Sequence, residues 1–198
     1  MFKIVEKFEK NISEFFGANY AVATDCCTHA LELCLRYQEI KEASCPEHTY
    51  ISVPFTFKKL NLNWKFEDEK WRDFYFLKGT NIVDAAVLWE EGSFISGTFM
   101  CLSFQYKKHL SLGRGGAILL DKKSDYDALK KMSYDGRTYD KPWKEQNIDS
   151  IGYHYYMTPE TAQLGLEKFP EATIMKTKRW SYADYPYLPK MEIFNEHN

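Results

Sequence analysis

The stretch from Tyr20 to Tyr37 constrains the fold more than any other. Residues 20–24, YAVAT, form a short apolar run of strand character. The polar turn Asp25-Cys26-Cys27-Thr28 follows, and an apolar helix then runs to about Tyr37. A strand that feeds a helix through so short a turn is the repeating unit of α/β folds. Upstream, Ile4, Val5, Phe8, Ile12, Phe15 and Phe16 share one face at helical spacing, and Gly17 marks the stop. The chain therefore opens as helix, strand, turn, helix.

The alternation continues downstream. NIVDAAVLW (81–89) and GGAILLD (115–121) are buried strand runs. FISGTFMCLSF (94–104) and TYISVPF (49–55) look extended, and the polar stretch from Trp64 to Trp71 fits a loop or a sheet edge. DYDALKKM (125–132) is a short helix, and the polar residues 133–150 form a long loop. Thr158-Pro159 starts a helix with a capping Thr and Pro at the first position. Its apolar face is Ala162, Gly165, Leu166 and Phe169, and Pro170 is predicted to end it. Pro186 and Pro189 argue for an extended C-terminal tail over 170–198. The expectation is an α/β fold, a mostly parallel sheet flanked by helices.

Size and charge narrow the function. At 198 residues the chain suits one domain or two small ones. Lys and Arg total 26 against 28 Asp and Glu, so no general affinity for nucleic acid or acidic membranes is expected. No apolar run is long enough to span a membrane, and the amphipathic N-terminus has no signal-peptide core. The five cysteines lack CxxC spacing, which predicts reduced thiols in a cytoplasmic protein and no zinc site. Aromatics reach 17%, which favours a sizeable core, a planar ligand or a large interface.

Four segments could carry chemistry. TDCCTHAL (24–31) presents a helix N-terminus after a strand, where free N–H groups suit a phosphate. An ordinary cap at Asp25 or Thr28 would look the same. Asp84 puts a carboxylate in the apolar run IVDAAV, which is costly unless it is paired. It fits a ligand site at a strand's C-terminal end, or a plain turn cap. In SFQYKKHLSLGRGGAIL (103–119) two lysines precede a glycine-rich segment. One of them, held in an apolar site, could serve as a carbonyl-capturing nucleophile, or the pair could simply be solvated. The spacing matches neither GxxxxGK[ST] nor GxGxxG. GYHYYMTPETAQLGL (152–166) sets a Tyr/His cluster before a helix, as a phosphate or ring contact or as core packing.

Taken together in this order, the segments resemble the DegT/DnrJ/EryC1/StrS family of sugar aminotransferases. These use pyridoxal phosphate (PLP) on the aspartate-aminotransferase fold, fold type I. The resemblance runs from about residue 8 to about 180. It implies that Thr28 and His29 grip the cofactor phosphate, with Cys27 standing where the family has glycine. It implies that Tyr50 stacks on the cofactor ring, Asp84 pairs with the ring nitrogen and Ser103 binds the phosphate. Lys108, five residues after Ser103, takes the place of the lysine that carries the cofactor, and Lys107 is its solvated neighbour. Val87 stands where the family has Gln or His. His154 falls where many members have an Asn that reaches a partner subunit's phosphate, and Tyr156 where they have Arg.

The resemblance further implies a homodimer, a nucleotide-linked keto sugar as substrate, an amino-acid donor such as glutamate, and a place in polysaccharide biosynthesis. Family chains are longer. The expected organisation is a single pared-down large domain over 1–198, with 170–198 where the family has a small domain. Two other readings stand beside it: a PLP-dependent sugar dehydratase, whose members carry His for the lysine, and a non-catalytic remnant kept for binding or assembly.

Overall fold

The computed structural model describes residues 2–195. The chain opens with α1 (Lys3–Phe16), β1 (Tyr20–Thr24) and α2 (Cys27–Tyr37), as the spacing predicts. Gly17 closes α1 at φ 79°, a left-handed conformation that glycine adopts without a Cβ clash. Next come β2 (Glu42–Pro46), α3 (Ser52–Lys59), β3 (Asn63–Glu67), β4 (Tyr75–Phe76) and β5 (Ile82–Asp84). The remaining elements are β6 (Phe99–Ser103), β7 (Gly116–Leu120), α4 (Lys123–Ser133), α5 (Pro159–Ile174) and α6 (Glu192–Asn195).

The main sheet has five strands in the order β1-β7-β6-β5-β4. It is mixed, not mostly parallel: only β5 and β6 pair in parallel, while β1–β7, β6–β7 and β4–β5 are antiparallel. The connections explain the difference. Parallel neighbours need a long crossover, usually a helix. Residues 104–115 between β6 and β7 contain none, and β4 turns into β5 over a few residues, so both chains double back. A separate parallel pair, β2 with β3, completes the strands.

Strand direction decides where function can sit. β7 opposes both β1 and β6, and β5 follows β6, so β1, β5 and β6 all point the same way. Their C-terminal ends carry Thr24, Asp84 and Ser103 on one edge, where open α/β sheets bind ligands.

Side chains alternate across the sheet at period two. Val22, Ile82, Phe99, Cys101, Ile118 and Leu120 join the core beneath α2 and α3. Ala21, Ala23, Val83, Met100, Leu102, Ala117 and Leu119 join the core beneath α1 and α5. Buried Glu9 of α1 is tied down by three donors: Ala23 N–H at 2.7 Å, the Tyr126 hydroxyl at 3.4 Å and the Lys130 amine. A charge at that depth needs such partners.

Two local expectations are corrected, at residues 49–55 and at Pro170. Residues 49–55 are not extended: α3 begins at Ser52. Pro54 lies in its first turn, where an N–H would have no partner anyway. Of the loop or sheet edge expected for residues 64–71, the edge forms over residues 63–67, which pair in parallel with β2. Pro170 does not end α5, which continues to Ile174. Pro170 is exposed, so water can reach the carbonyl it leaves unpaired, and Ala172 beyond it is buried in the core.

The C-terminal segment is also not simply extended. It turns helically at 182–184 and 188–190 and is stitched across the same sheet edge. Asp73 N–H donates to the Trp180 carbonyl, Tyr182 N–H to Trp71 and Leu188 N–H to Glu47, and Leu188 is wholly buried.

Candidate active site

A cleft opens at the C-terminal ends of β1, β5 and β6. Thr28, Tyr50, Asp84, Ser103 and Lys108 all line it, as does Val87. These residues are distant in sequence, and the shared strand direction gathers them.

The floor at one end is the start of α2. Its N-cap, Cys26, is extended and makes no side-chain cap bond, so neither Asp25 nor Thr28 acts as a cap. The first N–H groups of α2 are thus free of side-chain acceptors, an arrangement that suits an anion. Thr28 Oγ1 lies 2.7 Å from Ser52 Oγ, which adds a hydroxyl pair. Ser103 Oγ accepts from Gln105 N–H at 3.4 Å. The approach of α2 to the sheet depends on Gly116: a Cβ there would come within 2.5 Å of the Cys26–Cys27 backbone. Gly116, the last residue of the GRGG segment, is therefore a packing requirement of the helix start.

Asp84, the last residue of β5, is 5% exposed. Burial pushes its carboxyl upward, opposed by hydrogen bonds from Tyr75 and Ala86 and by the charge of Lys108. Lys108 sits in the 104–115 connection, where its N–H donates to the Gln105 carbonyl at 2.8 Å. Burial lowers the pKa of its amine, against the pull of Asp84 and Cys27. An amine with a lowered pKa carries more of the neutral form that attacks carbonyls. Lys107 is exposed instead, with its ammonium 5.6 Å from the Tyr106 ring centre.

Two expected contacts do not reach this cleft. His29 turns back on its own helix turn, with Nδ1 2.6 Å from Asp25 Oδ1 and its ring stacked on Tyr155 at 3.7 Å. Burial would lower its pKa, but hydrogen bonds to Asp25 and Cys26 outweigh that and hold it at about 9. A histidine ordinarily titrates near 6.5. The stability from its charged form is therefore complete below about 6.5 and lost as pH rises through about 9. Wild type should lose more thermal stability between pH 7 and 9 than His29→Gln, a difference that melting curves across that range measure. Equal slopes would show that the Asp25–His29 pair contributes nothing. His154 is exposed and pairs with Asp135 at 3.0 Å, outside the cleft.

Asp25, Cys26 and His29 bring three potential metal ligands within 4.8 Å of one another. Both oxygens of Asp25 are already engaged, Oδ1 by His29 and Oδ2 by Arg114 at 2.7 Å, and the guanidinium opposes a cation there.

Sequence reasoning missed several lining residues. Thr49, Trp71, Tyr75, Gln105 and Tyr185 also face the cleft. Tyr185 comes from the C-terminal segment, with its ring 5.3 Å from Trp71. Trp180 lies 5.7 Å from the Lys108 amine. The aromatic excess is the one signal that points to Trp71, Tyr75, Trp180 and Tyr185, and nothing local marks Thr49 or Gln105.

The family model of the DegT/DnrJ/EryC1/StrS aminotransferases matches residues 1–63 and 92–188. The chain belongs to this family, a PLP-dependent one, and has its fold type I architecture. The unmatched residues 64–91 include Asp84 and Tyr75. Among solved structures, AtS13 from Actinomadura melliaura is 18% identical with a TM-score of 0.71, over 87% of this chain and 61% of that one. The sugar aminotransferase CalS13 from Micromonospora echinospora is 14% identical with a TM-score of 0.72, over 86% of this chain and 61% of that one. Spr1654 from Streptococcus pneumoniae, in its PLP form, is 18% identical with a TM-score of 0.70, over 86% of this chain and 59% of that one. The chain thus spans about three fifths of these structures, 61%, 61% and 59%. No curated protein matches the sequence significantly.

The donor set fits PLP. A phosphate would meet the uncapped start of α2 with the hydroxyls of Thr28, Ser52 and Ser103. A ring nitrogen would meet the Asp84 carboxylate, and an aldehyde the Lys108 amine.

Proposed function

We propose that the cleft binds PLP and that the protein transfers an amino group from an amino-acid donor, glutamate first, to a nucleotide-linked keto sugar. One observation carries this reading. A buried carboxylate, an amine of lowered pKa and an uncapped helix start with three hydroxyls share a single cleft. When bound, PLP supplies an electron sink, and a carboxylate at its ring nitrogen keeps that sink strong. Thr28, Ser52 and Ser103 hold the phosphate end, and Tyr50 flanks the ring. Lys108 Nζ holds the aldehyde end and takes the Cα proton of the amino donor. Val87 offers no hydrogen bond to a ring hydroxyl.

The site is proposed to be completed across a two-fold interface in a homodimer. In its support, Trp143 is 69% and Ile151 80% exposed on the loop beside His154. The chain is proposed to act as one PLP-binding unit whose C-terminal segment walls the cleft. All five cysteines are free thiols, which suits a reducing compartment such as the cytoplasm. Among the described residues no helix is long and apolar enough to cross a membrane.

The dehydratase reading would need a histidine at the lysine's place. His109 instead donates to the Ala172 carbonyl at 2.8 Å, away from the cleft. An absorbance spectrum tests the proposal. The protein incubated with PLP should turn yellow, and glutamate should bleach the band. A bound band that no amino acid changes would favour the non-catalytic reading.

A further inference from the structure

Asp84 is held by two donors of the chain itself. Ala86 N–H reaches Oδ1 at 3.0 Å and the Tyr75 hydroxyl reaches Oδ2 at 2.5 Å. The partnership is built into the sheet, because Tyr75 on β4 stands directly opposite Asp84 on β5 in the antiparallel register. Tyr75 is 4% exposed, and its hydroxyl also meets the Thr49 hydroxyl. Thr49, Tyr75 and Asp84 all line the cleft. Both Tyr75 and Asp84 lie in the stretch that the family model leaves unmatched.

A carboxylate has about four acceptor positions. The two chain donors use one on each oxygen, which leaves acceptor capacity on both. Short O–H···O⁻ bonds are also among the stronger hydrogen bonds and favour the ionised acid. We propose that Tyr75 is a positioning residue: it keeps the Asp84 carboxylate ionised and aims its free lone pairs at a protonated ring nitrogen in the cleft. This rests on the PLP reading above.

The reasoning runs through desolvation. Burial favours the neutral acid at Asp84, and the Tyr75 hydrogen bond is the largest influence opposing it. Phenylalanine at 75 keeps the ring and its packing but removes the donor. Asp84 would then hold a proton more readily, and a neutral acid has no charge to offer a protonated ring nitrogen. A purely structural tyrosine would act differently, weakening every ligand of the cleft alike.

The experiment compares two ligands on the whole protein by fluorescence titration. One is PLP. The other is its carbocyclic analogue, with C–H in place of the ring nitrogen. Wild type should prefer PLP. Tyr75→Phe should lose at least about tenfold of that preference, the scale of one hydrogen bond to a charged group, with affinity for the analogue within about threefold of wild type. Thr49→Val removes the hydroxyl's other partner and keeps the Asp84 bond, so it should retain the preference. Equal weakening of both ligands in Tyr75→Phe, a full preference in that variant, or a tenfold loss in Thr49→Val would each overturn the inference while the PLP reading stands. Wild type that binds PLP and its analogue equally would overturn the role of Asp84 as well, and wild type that binds neither would overturn the PLP reading itself.

Discussion

Lys108→Ala should abolish the PLP adduct that borohydride traps on this protein, while Lys107→Ala should keep it. The two lysines are adjacent, and geometry separates them. The Lys108 amine lines the cleft shared with Asp84, Thr28 and Ser103. Lys107 is exposed and lies over the Tyr106 ring on the outside. The bond from Lys108 N–H to the Gln105 carbonyl closes the turn that points successive side chains apart. Chemistry supports Lys108 too, because burial lowers the pKa of its amine. In Lys108→Ala the phosphate contacts remain, so PLP should still bind, reversibly and without a covalent link. The glutamate half-reaction should fall by about 10² to 10⁴, the range for losing a positioned acid–base group. Peptide mapping of the borohydride-reduced protein reads the result directly. A label on Lys107, or a trapped adduct surviving in Lys108→Ala, would reject the assignment.

The strongest parts of the fold were legible in the sequence, and each for a physical reason. Residues 3–16 kept the face their spacing drew, because an amphipathic helix needs only a sheet to cover it, and α1 buries Val5, Phe8, Ile12 and Phe16. The turn at 24–28 was legible because a strand running straight into a helix has few alternatives. Sheet polarity was not legible. It depends on whether residues 104–115 fold into a crossover helix, and their mixture of Lys, His, Ser and Gly has no helical period.

The site divides in the same way. Asp84, Ser103 and Lys108 could be found because a carboxylate in an apolar run and a lysine before a glycine-rich turn are locally conspicuous. Tyr75, Thr49 and Tyr185 could not. They reach the cleft through strand pairing and through a C-terminal segment whose course depends on distant partners, such as the bond from Leu188 N–H to Glu47. His29 failed for a local reason that propensity does not weigh. One turn of helix brings it onto Asp25, and the 2.6 Å ion pair holds it there. The sequence also placed Asp84 in its family role across a stretch that the family model does not match. Its position at the end of β5, beside Lys108 in the cleft, is what now argues for that role.

Asp84→Asn should separate folding from chemistry. The substitution keeps shape and volume and removes the charge. Asn can keep the fold's hydrogen bonds: its oxygen accepts from Ala86 N–H, where Oδ1 does now, and its amide nitrogen faces Tyr75. The tyrosine hydroxyl then accepts from that amide and turns its own proton to the Thr49 oxygen, which already lies within hydrogen-bond reach. The Thr49 proton and the second amide proton are left without a protein acceptor, but both residues line the cleft, where water can take them, so stability should change by only about 1 kcal/mol, the net worth of one hydrogen bond. A buried carboxylate that burial already pushes toward neutrality loses little by becoming neutral. Catalysis is another matter, because a neutral amide does not hold a proton on the ring nitrogen and the electron sink weakens. Turnover should fall by at least about a hundredfold, comparable to removing one preorganised charge-stabilising group. Calorimetry and steady-state turnover on the same sample decide the case. Full transamination in Asp84→Asn would make this residue a turn cap at the end of β5, and a collapse of the melting temperature would make it a structural acid.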